Sequence, residues 1–270
     1  MVDIRQTYQY SKHLSNCGWE IDKKDNIYYF IKKLPIVGSI IKLQRPKYID
    51  MKYLEILSKE KRVFQIIIEP QNKSHAKILT KLNLKLMRTP YLPSKTLILD
   101  VRKSKKILFN TFKNDAQGYI LKNKNIKCKH HKISTIPEFR QAWRKAVGIK
   151  RHVPSLNNLL SLNKSFGSDS LFLTTNDLSS GAIFLMGAKT GYYWQAFTSK
   201  QGRKSRLQYN IVWQGILWSK KRGAKTFDFE GVYDERFPNK SWLGFTHFKK
   251  SFGGKEILYP GAYTKYKLPV

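Results

Sequence analysis

Between residues 170 and 229 the chain follows an order that few folds accommodate. Three apolar runs rich in aromatic and branched residues, Ser170–Thr174 (SLFLT), Gly181–Ala188 (GAIFLMGA) and Tyr192–Phe197 (YYWQAF), are joined by turn-forming residues and read as successive strands. A long helix is expected next, from about Lys204 to Arg222, because Leu207, Ile211, Gly215 and Trp218 form one stripe at helical spacing. Lys220, Lys221 and Arg222 fill its last turn and Gly223 supplies the stop. Thr226–Phe229 (TFDF) reads as a further strand. Strand, strand, strand, helix, strand is an α+β order.

The upstream chain carries a second such set. Tyr8 to Cys17 reads as helix, Ile27–Lys32 and Ile36–Leu43 as strands, and Met51 to Lys61 as helix. Val63–Glu69 (VFQIIIE) is a buried strand ended by Pro70, and Ser74 to Leu84 is an amphipathic helix. Pro90, Pro93 and Ser94 interrupt the pattern just before the apolar strand Thr96–Val101, which marks a joint. Lys103 to Lys113, Pro137 to Val147 and Ser155 to Lys164 are expected helices. A length of 270 residues suits one large domain or two small ones.

Composition bounds the partners. At 41% hydrophobic and 13% aromatic the chain can build a core, so disorder is not expected. Its 51 Lys and Arg oppose 18 Asp and Glu, a net +33. A polyanionic partner (nucleic acid or an anionic membrane surface) explains that excess. Coding bias explains it equally, since Lys outnumbers Arg 39 to 12. Charge spread along the chain fits the second reading; local clusters at Lys122–Lys127 and Lys200–Arg206 fit the first. Two cysteines, Cys17 and Cys128, are too few for a disulfide framework or a zinc site. No apolar run approaches the roughly 20 residues needed to span a bilayer, and the N-terminus lacks the apolar core of a signal peptide. A cytoplasmic protein is expected, touching the inner membrane face by charge at most.

The stretch Phe227–Tyr263 places a lysine among aromatics: a strand, an irregular loop and the helix-like segment FKKSF follow one another, then Gly253-Gly254 and ILYPGAY. Together with TLILDV at Thr96–Val101 and the block from Gly181 to Val232, this order resembles the Fem transferases, which move amino acids from aminoacyl-tRNA onto peptidoglycan precursors. QTYQYSKHLSNCGW from Gln6 and Ile68-Glu69-Pro70 also fit that family's first domain. The resemblance covers nearly the whole chain. It implies two acetyltransferase-like (GNAT) domains, the first shortened and completed by the C-terminal segment: 1–94 with 258–270 for the acceptor, 95–257 for acyl transfer. The coiled-coil arm of longer members is absent, because no sustained heptad pattern occurs.

The implied reaction is aminolysis of an aminoacyl ester by an amine on a precursor's stem peptide, with no cofactor and aminoacyl-tRNA as co-substrate. Its tetrahedral intermediate carries an oxyanion, which a preorganised cation stabilises. The resemblance assigns that part to Lys249, with Phe248 lining the site. Lys12 and Arg151, with Arg144 as an alternative, are the implied contacts to the acceptor's diphosphate. Glu69 falls on an acidic position that could place the acceptor amine, and Tyr193 and Gln195, with Trp194, lie on the strand implied to line the acceptor pocket. The residues read by themselves offer plainer roles: Lys249 as an exposed helix lysine, Phe248 and Phe252 as core, Glu69 as a strand-end carboxylate, Lys12 and Arg151 as solvated charges.

One departure stands out. Where the family carries a basic run with arginines, this chain has Asn114-Asp115-Ala116-Gln117-Gly118-Tyr119-Ile120-Leu121-Lys122. Two rival readings remain. A coenzyme-A acyltransferase would hold pyrophosphate on a glycine-rich loop, but Gln201-Gly202-Arg203-Lys204-Ser205-Arg206 lacks the later glycines. A non-catalytic RNA-binding module fits the charge, yet no RNP, KH or helix-turn-helix signature appears. Of six histidines only His247 adjoins the proposed site.

Overall fold

The computed structural model describes residues 2–149 and 151–267, and the chain divides into two compact units. The first comprises the chain up to Lys95, Asp234–Pro238 and the residues from Leu258 on; the second comprises Thr96–Tyr233 and Asn239–Ile257.

The first unit contains α1 (Tyr8–Asn16), β1 (Glu20–Lys24), β2 (Ile27–Leu34), β3 (Gly38–Gln44), α2 (Met51–Glu60), β4 (Val63–Glu69), α3 (Lys73–Lys81) and the two-residue β5 (Lys85–Leu86). Thr7, Asp50 and Asn72 start the three helices, each side chain accepting from the N–H three residues on. Asp25 and Asn26, both at positive φ, turn the β1–β2 hairpin. The sheet runs β1-β2-β3-β4, then the late strand Tyr263–Tyr266, then β5. That late strand pairs with β4 on one side (Tyr263 opposite Ile68) and β5 on the other (Tyr263 opposite Leu86). Alternate residues Tyr29 and Ile31, Ile41 and Leu43, and Ile66 and Ile68 form the core face and join Leu54, Leu57 and Leu79 from the helices. Asp234–Pro238 belongs here through the Asp234 carboxylate, which accepts from Ser94 Oγ (2.6 Å) and Arg236 (2.7 Å), while the Arg236 guanidinium also donates to the Ser94 and Tyr259 carbonyls. No sequence signal marked this segment.

The second unit contains β6 (Lys95–Asp100), α4 (Lys105–Asn110), α5 (Asn114–Lys122), β7 (Cys128–His131), α6 (Ile136–Val147), α7 (Leu156–Phe166), β8 (Ser170–Thr175), β9 (Ser180–Gly187), β10 (Thr190–Thr198), α8 (Lys200–Lys204), α9 (Gln208–Lys221), β11 (Thr226–Gly231), α10 (Leu243–Lys250) and β12 (Lys255–Leu258). Its seven strands run β12-β6-β11-β10-β9-β8-β7. Ala182, Phe184 and Met186 of β9 and Leu171 and Leu173 of β8 meet Tyr209, Val212 and Ile216 of α9 and Ala116 and Ile120 of α5 in the core.

One expectation changes in detail, and two segments left unassigned above take regular structure. The single helix from Lys204 to Arg222 is two helices, because Arg206 enters the left-handed region (φ 57°) and Leu207 N donates back to Gly202 O, a helix-ending pattern. The segment after α4 is the helix α5, whose buried residues are Ala116 and Ile120. His130 and His131 lie in the strand β7.

Candidate functional site

β10 and β11 are parallel but pair only at Thr190–Thr226, Gly191–Phe227 and Tyr192–Asp228. Beyond these residues the ladder ends, and both strands are irregular there: β10 between Tyr193 and Gln195, β11 between Asp228 and Gly231. Bulges of this kind re-aim side chains, and they concentrate beside active sites. The second sheet is therefore open where Tyr193 and Glu230 stand on strands that have parted.

α10 delivers a cation to this place. Its inward face presents Thr246 and Lys249, three residues apart. Thr246 Oγ accepts from Tyr233 N (2.7 Å) and donates to Trp242 O (2.7 Å), which ties the helix to the exit of β11. Lys249 is only 8% exposed; its Nζ donates to Gly231 O at 2.6 Å and lies 5.5 and 5.1 Å from the ring centres of Tyr193 and Phe245. Burial lowers its pKa to about 8, opposed by the carboxylates of Glu230 and Asp228. An ammonium has three N–H bonds, so the Gly231 bond holds it in place with donors to spare. A buried, oriented lysine among carboxylates differs from an exposed helix lysine, and that plainer role does not describe Lys249.

Phe248 is half-buried, edge-on to Tyr209 (4.8 Å) and Phe252 (5.5 Å) in an aromatic cluster that continues to Phe229 and Phe112. Phe252 is core. Tyr193 is buried; its hydroxyl accepts from Gln208 Nε2 at 2.8 Å, and burial holds its pKa above the ordinary phenol value. The bulge separates it from Gln195. Tyr193 pairs with Phe184 on the α9 face, whereas Gln195 pairs with Ile183, whose other ladder partner Phe172 packs on Phe139 of α6. The structure thus brings Lys249 and Tyr193 together and puts Gln195 on the opposite face of the sheet. His247 is exposed on α10.

The remaining predicted residues lie elsewhere. Lys12 is exposed on α1 in the first unit. Glu69, also there, is buried at the end of β4 with both oxygens engaged: Gln44 Nε2 donates to Oε2 (3.0 Å) and Leu92 N to Oε1 (2.5 Å). Close to Glu69, Lys42 is half-buried with Nζ over the rings of Tyr91 (4.2 Å) and Trp19 (5.1 Å), and burial lowers its pKa. Arg151 and Arg144 are exposed in the second unit.

Sequence reasoning missed Glu230, Asp228, Thr96 and Gln208. Two acids inside the otherwise apolar TFDFEG strand were the available signal. The loop compared with a pyrophosphate cradle is mostly α8. Four N–H groups of the loop are already used: Gly202 N donates to Ser199 Oγ, Arg203 N to Ser199 O, Ser205 N to Gln201 O and Arg206 N to Arg203 O. Gly202 is a packing glycine, since a Cβ there would overlap Ser180 Oγ and the Ser179 carbonyl. Among the described residues no group of three or more His, Cys, Asp or Glu could hold a metal ion, and no helix is long and apolar enough to cross a membrane.

No protein-family model matches the sequence, and no curated protein matches it. Solved structures do. The structure of FemX superposes with a TM-score of 0.81 at 14% identity, over 98% of this chain and 92% of that one. L-PGS from Bacillus licheniformis gives 0.62 at 13% identity, over 96% and 87%. A tandem GNAT protein from the clavulanic acid biosynthesis pathway gives 0.53 at 7% identity, over 92% and 83%. The fold is therefore α+β with two acetyltransferase-like units. Within that class it is a Fem-type fold, as the resemblance implied.

Proposed function

We propose that this protein is an aminoacyltransferase that moves an amino acid from aminoacyl-tRNA to the stem peptide of a peptidoglycan precursor. The observation that carries the reading is Lys249, a buried cation fixed by the Gly231 carbonyl at the parted strands. A fixed cation of this kind stabilises the oxyanion of acyl transfer without reorganising. Likeness in fold to FemX supports the same chemistry. In this reading Phe248 and Tyr193 border the acyl end. Lys12 and Arg151 are the cations for the acceptor's diphosphate, and Glu69 orders the acceptor side, while Gln195, on the other face of the sheet, takes no part in the Lys249 site. The partners are aminoacyl-tRNA and a lipid- or nucleotide-linked muropeptide, met in the cytoplasm or at the anionic inner membrane face.

The test is incubation with a mixture of aminoacyl-tRNAs and candidate precursors, read by mass. One precursor should gain an aminoacyl residue, and Lys249→Met should abolish the gain while the protein melts normally. Normal turnover by that variant would remove Lys249 from the mechanism. The engaged N–H groups of α8 argue against a coenzyme-A cradle there.

A further inference from the structure

Glu230 is the strained residue of the site. Its φ is +58°, a region that a glutamate seldom occupies and that costs on the order of 1 kcal/mol or more. Three bonds hold the strand end in that shape. Glu230 N donates to Asp228 Oδ1 at 2.7 Å, Thr96 Oγ lies 2.6 Å from Glu230 O and against the Asp228 carboxylate, and Lys249 Nζ donates to the next carbonyl, Gly231 O. The β11 irregularity falls on these residues, where the ladder with β10 has ended. Glu230 is buried, and it heads the charges acting on Lys249. A buried acid kept at a strained bulge by dedicated hydrogen bonds, beside a buried lysine, is costly for stability alone. Strain and buried titratable groups of this kind concentrate where chemistry is done.

We infer that Glu230 is a catalytic base, the carboxylate that takes a proton from the incoming ammonium so that its nitrogen can attack the ester beside Lys249. The inference rests on the aminoacyl-transfer reading. An amine reaches a neutral-pH site protonated and cannot attack in that form. One proton passes to a Glu230 oxygen. The nitrogen lone pair then forms a bond to the ester carbonyl carbon, and the carbonyl π pair moves onto oxygen, opposite the Lys249 ammonium. That pair returns as the ester C–O bond breaks; the ribose oxygen leaves and takes the second proton from the now acidic nitrogen. Glu230 finally releases its proton to water, so one proton is liberated per amide formed. Lys249 and Glu230 are then a cation and a base whose tasks differ, and the Glu230 carboxylate favours the charged form of Lys249.

The experiment uses two nucleophiles on the same aminoacyl-tRNA mixture at pH 6.5, where Lys249 stays protonated after losing a neighbouring carboxylate. One is the precursor, whose amine arrives as an ammonium; the other is hydroxylamine, which is uncharged and needs no base. Glu230→Gln should lose transfer to the precursor by about 10²–10⁴-fold and keep hydroxamate formation within a few-fold. Lys249→Met should lose both. Glu230→Asn, a side chain at ease in left-handed backbone, should behave as Glu230→Gln does and guards against misfolding of the first variant. The inference is overturned if either folded Glu230 variant keeps precursor transfer, if both reactions fall equally, or if neither variant folds. Wild-type protein inactive toward both nucleophiles would instead sink the transfer reading itself.

Discussion

At the residue scale, Lys249 joins a cost to a capacity. Removing an ammonium from water is unfavourable, and its pKa falls from 10.5 to about 8. The unfolded chain therefore binds a proton that the folded chain has lost between pH 8 and 10.5. Stability rises with pH across that window, by roughly 3 kcal/mol from this group. Denaturant titrations of wild type and Lys249→Met at pH 7.5 and 10 should show the wild type gaining relative to the variant; parallel curves would place Lys249 in water. Transfer should respond in the opposite direction. An oxyanion partner must be charged, so the rate should fall above an apparent pKa near 8 in a pH–rate profile. Lys249 was legible in the sequence because aromatics flank it at helical spacing. Glu230 was not. An acid at the end of an apolar strand looks solvent-facing until the neighbouring strand is known to have parted, and parting depends on pairing that no local pattern records.

At the element scale, α9 lies on β9 through Gly215, where an added Cβ would overlap the Phe184 ring. Phe184 is fully buried and stacks on Tyr193, one wall of the Lys249 site. Gly215→Ala should cost about 1–3 kcal/mol by overpacking, more than the roughly 1 kcal/mol that helix propensity returns. It should also reduce transfer, because Phe184 can yield only by displacing Tyr193. Chemical denaturation and the mass assay check both; unchanged stability would mean that α9 can lift off the sheet. The stripe that includes Gly215 announced this helix, and the three strands before it announced the sheet. The break at Arg206 was hidden, because a left-handed arginine has no sequence signature. The bulge that sends Gln195 to the far face was hidden for the same reason: strand alternation alone places Tyr193 and Gln195 together.

At the scale of the whole molecule, the first unit depends on residues far along the chain. Tyr263–Tyr266 is inserted between β4 and β5, and Asp234–Pro238 is fastened to Ser94 and Tyr259. A chain cut after Ile257 should leave the first sheet without its inserted strand while the second unit keeps its own core. Hydrogen exchange should then show protection in β8 to β11 and none in β5. Full protection of both sheets would show the late strand to be dispensable. The sequence hinted at this return through ILYPGAY, although its early residues are β12 of the second sheet and only the segment from Tyr263 enters the first. Close approach at that exit needs Gly254, at φ 96° and against the Ile98 carbonyl, a position where a side chain would collide.

The inserted strand has a consequence for synthesis. Domains generally fold as units, the N-terminal one first, as the chain emerges. Here β4 waits for a partner roughly two hundred residues downstream, so the first unit is the last to close. Until Tyr263–Tyr266 leaves the ribosome, the β4 edge is exposed and apolar, a template for pairing with other chains. The nascent protein should therefore depend on chaperones longest for the part it makes earliest.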